Sequence, residues 1–403
     1  MSIINYDLYA LNGLNTDRYL KLKDAISIQD DILIDGSFSQ KTLLKKGLTL
    51  DEQKTINELH FNNIEIEIRH SRHYPLGDQI APLIGFYGKD RAQEGIEKSY
   101  DSVLSGKNGK QKYYTNAKQK IISKPIEVIK TIQGQDIQLT IDSTIQFYAY
   151  KYLVEAITNN KAKAGTVLVF DNKSGEILAI ASYPSYNPNN PKREIQKNRA
   201  LIEAYELGSV LKPIVFSKAI DKKIFSPDAH IEIPRRLELG NTIITDPKIY
   251  EKLTPKEIVA YSSQVGASKI ALKLGYEELK YNYYSFGFTK PISINFPSAA
   301  FGLMNAKETV SDRELASLGY GYGLKVSPFQ LTAAYSTFAN NGIRKEFKLL
   351  MNDEVTSQRV ISESSARHIK FVFFEKYFDL IMEFSLNVSP SSLGLLSLNS
   401  LVE

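Results

Sequence analysis

The sequence contains no cysteine and no tryptophan. Without cysteine, the chain can form no disulfide, bind no metal through thiolates and use no cysteine nucleophile. Hydrophobic residues make up 43% and charged residues 24% of the 403 positions, which is ordinary for a globular chain of two or three domains. The net charge of +5 is weak and diffuse, and no nucleic-acid recognition motif accompanies it. We therefore expect a globular protein with no nucleic-acid partner.

Long apolar runs are also missing. No stretch approaches the ~20 apolar residues that a membrane-spanning helix needs. The amino-terminal 22 residues carry Asp7, Asp17 and Arg18 where a signal peptide or an anchor would be apolar. The chain as given therefore shows no visible means of leaving the cytoplasm.

Metal-ligating and phosphate-binding patterns are absent from the sequence. The five histidines form no H-E-x-x-H or similar spacing, and no G-x-x-x-x-G-K-S/T loop occurs. Gly319, Gly321 and Gly323 do not follow a strand in a phosphate-binding pattern. We predict neither a metal nor a cofactor.

Three regions differ in their pattern. Residues 1–138 mix short charged helical pieces with strand-like runs, such as the strict apolar–charged alternation at 64–68. Residues 139–345 form the second region, and residues 346–403 form a tail rich in Phe, Leu and Ser that resembles nothing upstream. We predict a domain boundary at each change.

In the second region, the predicted helices and strands follow one another in the order expected of an α+β domain. A strand is predicted to end at Asp142, which then caps a helix. Runs 165–171 and 175–183 are joined by a short polar connection and predict an antiparallel hairpin. Mostly helical patterns follow, and this order of helix, strands and further helices favours α+β architecture.

Ser209 and Lys212 form an S-x-x-K motif. Residues three apart on a helix lie on one face, so we expect Lys212 to sit over Ser209 near the start of a helix. A serine hydroxyl is a weak nucleophile at neutral pH and needs a base within hydrogen-bond reach, which a lysine amine can provide. Alone, the motif also fits an ordinary helix start with a solvated lysine.

Ser262 and Gln264 form the second candidate pair. They follow a helix predicted to begin after Thr254, and side chains two apart can present a hydroxyl and an amide to one cleft. The serine would shuttle a proton between Lys212 and a departing amine. The alternative is a polar turn between two helices.

S-x-x-K followed by such a triplet is typical of penicillin-binding proteins and related β-lactamases. The chain resembles class B penicillin-binding proteins of the cell-division kind, collinearly from about residue 50 to about residue 345. The stretches that carry the resemblance are RHYPLG (72–77), GIEKSYDSVLSGKNG (95–109), GQDIQLTID (134–142), GEILAIASYPSYNPN (175–189), YELGSVLKP (205–213), SSQVGASKIAL (262–272) and GYGYGLKVSPFQLTAAYSTFANNG (319–342).

The resemblance implies a fold and four site residues. The fold would be a penicillin-binding-protein/β-lactamase-like transpeptidase domain, preceded by a smaller α+β pedestal domain. Ser209 would be the acyl-accepting nucleophile and the site of β-lactam acylation, Lys212 the general base and Ser262 the proton relay. Gln264 would stand where the family usually has Asn, so its amide reaches about 1.5 Å farther on ordinary covalent geometry.

The sequence departs from the family in its third motif. No Lys/His-Thr/Ser-Gly occurs after residue 265, and Lys173-Ser174-Gly175 precedes the nucleophile, where it fits a hairpin turn. The K-T-G strand normally supplies an oxyanion-hole N–H, and losing one such donor costs about 10²–10³ in rate. We therefore expect a truncated chain with weak or no activity. The abrupt change of composition in the tail is of the kind that a shifted reading frame would produce.

The resemblance also implies partners and a location. Peptidoglycan stem peptides would be the substrate, β-lactams would bind covalently, and membrane proteins of the division or elongation machinery would be partners. The family is anchored in the inner membrane and faces the periplasm. The alternatives are a catalytically inert cell-wall or division-complex binding module, a nonfunctional gene remnant and, as a weaker enzymatic reading, a β-lactamase.

Overall fold

A computed structural model describes residues 2–28, 37–88, 91–107, 109–116, 122–191, 197–304, 309–370 and 372. The chain divides into two compact units. The first comprises Met1–Gly77 with Asn187–Pro191, and the second comprises Asp78–Tyr186 with Lys192–Glu403. Within the described ranges, no helix combines the length and the apolar character that crossing a membrane requires.

The first unit is a three-stranded antiparallel sheet with two helices. Its strand order is β2-β1-β3, and buried leucines and isoleucines of the strands and helices form one core. The predicted strand at 64–68 is confirmed, because it lies within β3 and pairs with β1 along its whole length. The elements are β1 (Ser2–Ala10), α1 (Thr16–Ile26), β2 (Thr42–Lys45), α2 (Leu50–Glu58) and β3 (Ile64–Arg72).

The second unit carries the remaining elements. Its helices are α3 (Ala81–Ile84), α4 (Gly95–Ser99), α5 (Asp101–Leu104), α6 (Ser143–Asn159), α7 (Arg199–Ile202), α8 (Lys212–Asp221), α9 (Pro255–Ala260), α10 (Gln264–Leu274), α11 (Tyr276–Ser285), α12 (Asp312–Gly319) and α13 (Pro328–Ala339). Its strands are β4 (Lys110–Lys112), β5 (Glu127–Ile129), β6 (Gly165–Phe170), β7 (Ile177–Tyr183), β8 (Tyr205–Glu206), β9 (Ile231–Glu232), β10 (Leu237–Leu239), β11 (Thr242–Ile244), β12 (Lys252–Leu253), β13 (Leu303–Met304), β14 (Leu324–Val326), β15 (Ile343–Lys345) and β16 (Ser357–Arg359).

The predicted hairpin and the helix cap before it are confirmed. Strands β6 and β7 pair antiparallel, and the Asp142 side chain accepts hydrogen bonds from two main-chain N–H groups of the first turn of α6. The predicted strand ending at Asp142 is wrong, since only an isolated bridge joins Leu139 to Leu350. The Thr140 N–H bonds to Leu349 O and the Asp142 N–H to Leu178 O, so the segment divides its bonds between two neighbours and builds no ladder.

Helix α8 lies at the centre of the core of the second unit. Every residue from Lys212 to Ile220 is buried, and α9, α10 and α11 pack against the helix. Phe216 on α8 and Tyr283 on α11 are 1% and 0% exposed. Burying a large apolar side chain contributes about 1.5–3 kcal/mol. The packing therefore fixes α8 and, with it, the residues at its amino-terminal end.

The region after residue 345 begins with ordered, packed structure. Strands β15 and β16 pair, residues 363–370 are helical, and Phe347, Ile361 and Ile369 are buried. Residue 371 and residues 373–403 of the predicted tail lie outside the described residues. The division into 1–138, 139–345 and 346–403 stays a prediction.

Candidate active site

Ser209 lies on a single 3₁₀ turn, Gly208–Leu211, between β8 and α8. The expectation of a helix-borne serine is therefore wrong in detail, because the α-helix begins only at Lys212. Residues three apart nearly eclipse each other in a 3₁₀ turn, so Lys212 still follows Ser209 on the same side. Gly208 has φ +58°, a left-handed conformation that glycine adopts without strain, and Ser209 is exposed.

The side chain of Lys212 contacts Ser262 directly. Lys212 is only 2% exposed, and its Nζ donates to the Ser262 main-chain oxygen at 2.5 Å and to Ser262 Oγ at 3.0 Å. These two residues lie 50 positions apart in sequence. The structure thus brings together the predicted base and the predicted proton relay.

Ser262 lies in the turn between α9 and α10 with φ +59°. This left-handed conformation costs a residue other than glycine about 1–2 kcal/mol. Both oxygens of Ser262 face Lys212 from this conformation. The strained residue is thus the one that contacts Lys212, and nothing in the sequence indicates this strain.

A carboxylate holds the start of α10, immediately after Ser262. Asp246 Oδ1 accepts from the Gln264 N–H at 2.5 Å and from the Val265 N–H at 3.2 Å, while Oδ2 accepts from Ser263 Oγ at 2.5 Å. Ser263 Oγ in turn accepts from the Gly266 N–H at 2.8 Å, as an N-cap does. The negative charge also lies at the positive end of the helix.

Sequence reasoning missed Asp246. It lies in the loop after β11, and no motif distinguishes it from other loop aspartates. Its importance follows only from the fold, which places it against the turn that carries Ser262 and Gln264.

Gln264 is the first residue of α10, and its side chain is exposed. Its main-chain N–H is held by Asp246. Among the hydrogen bonds between described residues, none joins its side-chain amide to Ser209, Lys212 or Ser262. The structure therefore places Gln264 two residues from the Lys212–Ser262 contact and leaves its amide facing solvent.

The K-S-G sequence lies in the hairpin turn, as predicted. Gly175 has φ +78°, and Asp171 accepts from the Lys173 N–H at 2.7 Å and from Ser174 Oγ at 3.0 Å. These residues therefore have a turn-forming role. Nowhere in the described part of the chain do three His, Asp or Glu side chains form a group suited to a metal ion.

The second unit is an α+β domain in which an exposed serine precedes a buried lysine, and that lysine bonds to a second serine. Residues 165–376, slightly more than half of the chain, match the family described as the penicillin binding protein transpeptidase domain. Residues 15–139 match the penicillin-binding protein dimerisation domain. The chain belongs to the penicillin-binding protein transpeptidase family and has the domain pair of its class B, which confirms the predicted resemblance and fold class.

Two curated relatives agree with this assignment. The chain is 34% identical over 306 residues to the peptidoglycan D,D-transpeptidase FtsI of Buchnera aphidicola, covering 74% of this chain and 53% of that protein. It is 32% identical over 363 residues to FtsI of Escherichia coli, covering 88% of this chain and 61% of that protein. The chain thus spans a little over half the length of these curated relatives.

The fold is shared with penicillin binding protein 2X from Streptococcus thermophilus. The TM-score is 0.74 at 19% identity, and the alignment covers 92% of this chain and 62% of that one. At this identity the likeness shows the fold alone.

Proposed function

We propose that this chain carries the acylating half of a serine D,D-transpeptidase site, with Ser209 as nucleophile, Lys212 as general base and Ser262 as proton relay. The observation that carries the proposal is the contact between the buried Lys212 Nζ and Ser262 Oγ, one turn after an exposed serine. The substrate would be a peptidoglycan stem peptide ending in D-Ala-D-Ala.

In the acylation step, the neutral amine of Lys212 accepts the proton of Ser209 Oγ. The oxygen attacks the carbonyl carbon of the penultimate D-Ala and forms a tetrahedral intermediate. Collapse of this intermediate breaks the peptide bond, and the departing amine of the terminal D-Ala receives a proton through Ser262. An ester on Ser209 remains, and one D-Ala leaves.

In the transfer step, the same groups act in the opposite direction. An amine of a second stem peptide attacks the ester, loses its proton through Ser262 and Lys212, and Ser209 recovers its hydroxyl hydrogen. A β-lactam would follow the acylation step alone. Its ring amide bond breaks and its nitrogen takes the proton, but no atom leaves, so the whole molecule stays on Ser209.

One feature of the sequence is expected to slow this activity. Gln264 carries one methylene more than the asparagine of the resembled motif, and small misplacements of substrate-positioning groups cost large rate factors. We therefore propose slow acylation, and transfer slower still. Partners among membrane proteins of the division or elongation machinery remain part of this proposal.

A labelled penicillin tests the proposal directly. The purified full-length chain is incubated with fluorescent penicillin, and the adduct is measured on a denaturing gel and by intact mass. We expect an increase by the mass of the whole penicillin, which Ser209→Ala abolishes. Ser174→Ala, which removes an exposed serine from the K-S-G hairpin turn, serves as the matched control and should label like the parent.

Other outcomes separate the alternatives. A folded parent that takes up no label contradicts the enzymatic proposal and favours an inert binding module. Equal labelling of the parent and Ser209→Ala would place the reactive group elsewhere. A chain that gives no protease-resistant product would favour a nonfunctional remnant.

A further inference from the structure

The two residues on either side of Ser209 are both held by a segment more than 100 positions farther along the chain. On the amino-terminal side, the Gly208 N–H donates to Gly321 O at 3.0 Å. Gly321 has φ +100°, and a Cβ there would lie 1.9 Å from Gly208 O. Only glycine therefore permits this approach of two main chains.

On the carboxyl-terminal side, a tyrosine hydroxyl holds the next main-chain group. Tyr335 on α13 donates from Oη to Val210 O at 2.5 Å. The Tyr335 ring packs edge-on against the buried Phe338 ring, with the centroids 5.8 Å apart. The hydroxyl therefore has a fixed direction, because the ring behind it is packed against the core.

A third set of contacts supports the chain just before the same turn. Strand β14 pairs with β8, which precedes the turn, and the Gly323 N–H donates to Glu206 Oε1 at 3.1 Å. The segment 319–335 thus holds the chain before Ser209 and after it. Ser209 itself remains exposed between the two held residues.

We infer that Tyr335 and Gly321 are positioning residues that clamp the Ser209 turn, and that Tyr335 acts through Val210 without touching substrate. This inference rests on the proposed function of Ser209. A one-turn 3₁₀ segment has few bonds of its own, so external bonds to residues 208 and 210 limit the directions in which the Ser209 hydroxyl can point. Attack needs the reacting atoms about 3–3.5 Å apart and aligned, so loosening the turn slows the chemical step.

The test removes one oxygen atom. In Tyr335→Phe the ring remains and the bond to Val210 O is lost. Acylation by a penicillin is followed over a range of concentrations to separate the dissociation constant of the initial complex from the acylation rate constant. We expect the rate constant to fall about tenfold while the dissociation constant stays within about twofold, because the clamp orients the nucleophile and does not contact the ligand.

Tyr186→Phe is the matched control. It also removes a tyrosine hydroxyl bonded to a main-chain oxygen, that of Ala81 at 3.2 Å, from residues outside the clamp. We expect it to leave the acylation rate constant unchanged. An unchanged rate constant in Tyr335→Phe, or an equal fall in both variants, overturns the inference.

Amide hydrogen exchange provides a readout that does not depend on acylation. In Tyr335→Phe, peptides covering 205–212 should exchange about fivefold faster, while peptides from the hairpin 165–183 keep their parental rates. If the parent takes up no penicillin, the proposed function fails and the exchange data still decide the clamp. Unchanged exchange at 205–212 contradicts it.

Discussion

Two turns carry the candidate site, and they are held in different ways. The residues on either side of Ser209 are bonded to neutral groups, namely the Gly321 main chain and the Tyr335 hydroxyl, which lie more than 100 positions downstream. The end of the turn with Ser262 and Gln264 is held by the Asp246 carboxylate, which lies 17 to 19 positions before the residues it bonds. The first has an unstrained glycine at its left-handed residue, and the second has a serine there.

The difference shows how one site can combine two kinds of rigidity. Neutral main-chain bonds are insensitive to pH, whereas a carboxylate adds charge-assisted bonds that are stronger but depend on ionisation. The hydrogen bonds to the two neighbours of the nucleophile, Gly208 and Val210, involve no charged group. The three residues that follow the relay serine are held by a carboxylate. The two turns should therefore respond differently to substitution.

The largest effect is expected at the strained serine. Ser262→Ala and Ser262→Gly both remove the hydroxyl that bonds to Lys212, so acylation of Ser209 should fall about 10²-fold in each. Their stabilities should differ, because only alanine retains the left-handed strain. We expect the glycine variant to be more stable by about 1 kcal/mol in denaturant unfolding. Equal stability of the two would mean that residue 262 is not strained.

The next effect is expected at the carboxylate. Asp246→Asn keeps the shape but replaces one acceptor oxygen with a donor, so one of the three bonded groups loses its partner. We expect a loss of about 1–2 kcal/mol in unfolding free energy and about tenfold slower acylation.

Asp142→Ala is the control for this comparison, because it removes a helix cap and so costs a similar amount of stability. Asp142 caps α6 by accepting from the Thr144 and Ile145 N–H groups, both at 2.9 Å. A similar loss of stability with unchanged acylation per folded molecule is expected. If Asp142→Ala slows acylation as much as Asp246→Asn does, the slower rate reflects general destabilisation.

A smaller effect is expected at the exposed amide. Gln264→Asn shortens the side chain to the length found in the resembled motif, while its main-chain N–H keeps its bond to Asp246. We expect acylation about threefold faster and an unchanged melting temperature, because the side chain is exposed and orients substrate only. Slower acylation would show that the rest of the cleft has adapted to glutamine.

The smallest effect concerns the helix that leads into the strained turn. Hydrogen bonding by the Thr254 N–H, opposed by partial burial, lowers the pKa of Glu257 below 4.5. A carboxyl whose pKa is lower in the folded state stabilises above its unfolded pKa, and this contribution is lost as the pH falls through the folded pKa. Glu257→Gln should therefore lower the melting temperature slightly at about pH 7 and by less at about pH 3. An equal difference at both values would exclude ionisation as the cause.

Much of the fold follows from local sequence patterns. Asp142 and Thr254 precede helices as N-caps, the alternation at 64–68 lies within β3, and the polar link at 172–174 joins β6 to β7. Each of these signals depends on a few neighbouring residues. Ser209 and Lys212 both lie near the start of α8, although Ser209 lies on a 3₁₀ turn and not on the α-helix.

The contacts that assemble the site follow from no such pattern. Asp246 and Tyr335 are ordinary residues in sequence, and their partners are found only once the chain has folded. The prediction of a strand before Asp142 was wrong for a related reason, since the main-chain hydrogen bonds of that segment go to two separate neighbours. Local propensity can predict a helix or a strand, but it cannot predict which distant group forms hydrogen bonds with the main chain of that element.

The most direct test of the central claim replaces the proposed base with a residue that keeps its charge and cannot lose its proton. Arginine stays protonated in proteins, so Lys212→Arg retains donors near Ser262 but removes the base. With folding checked by thermal unfolding, we predict that penicillin acylation, mapped by mass spectrometry to the peptide containing Ser209, becomes at least about 10²-fold slower than in the parent. Acylation of Ser209 in Lys212→Arg at the parental rate would contradict the claim that Lys212 deprotonates the nucleophile.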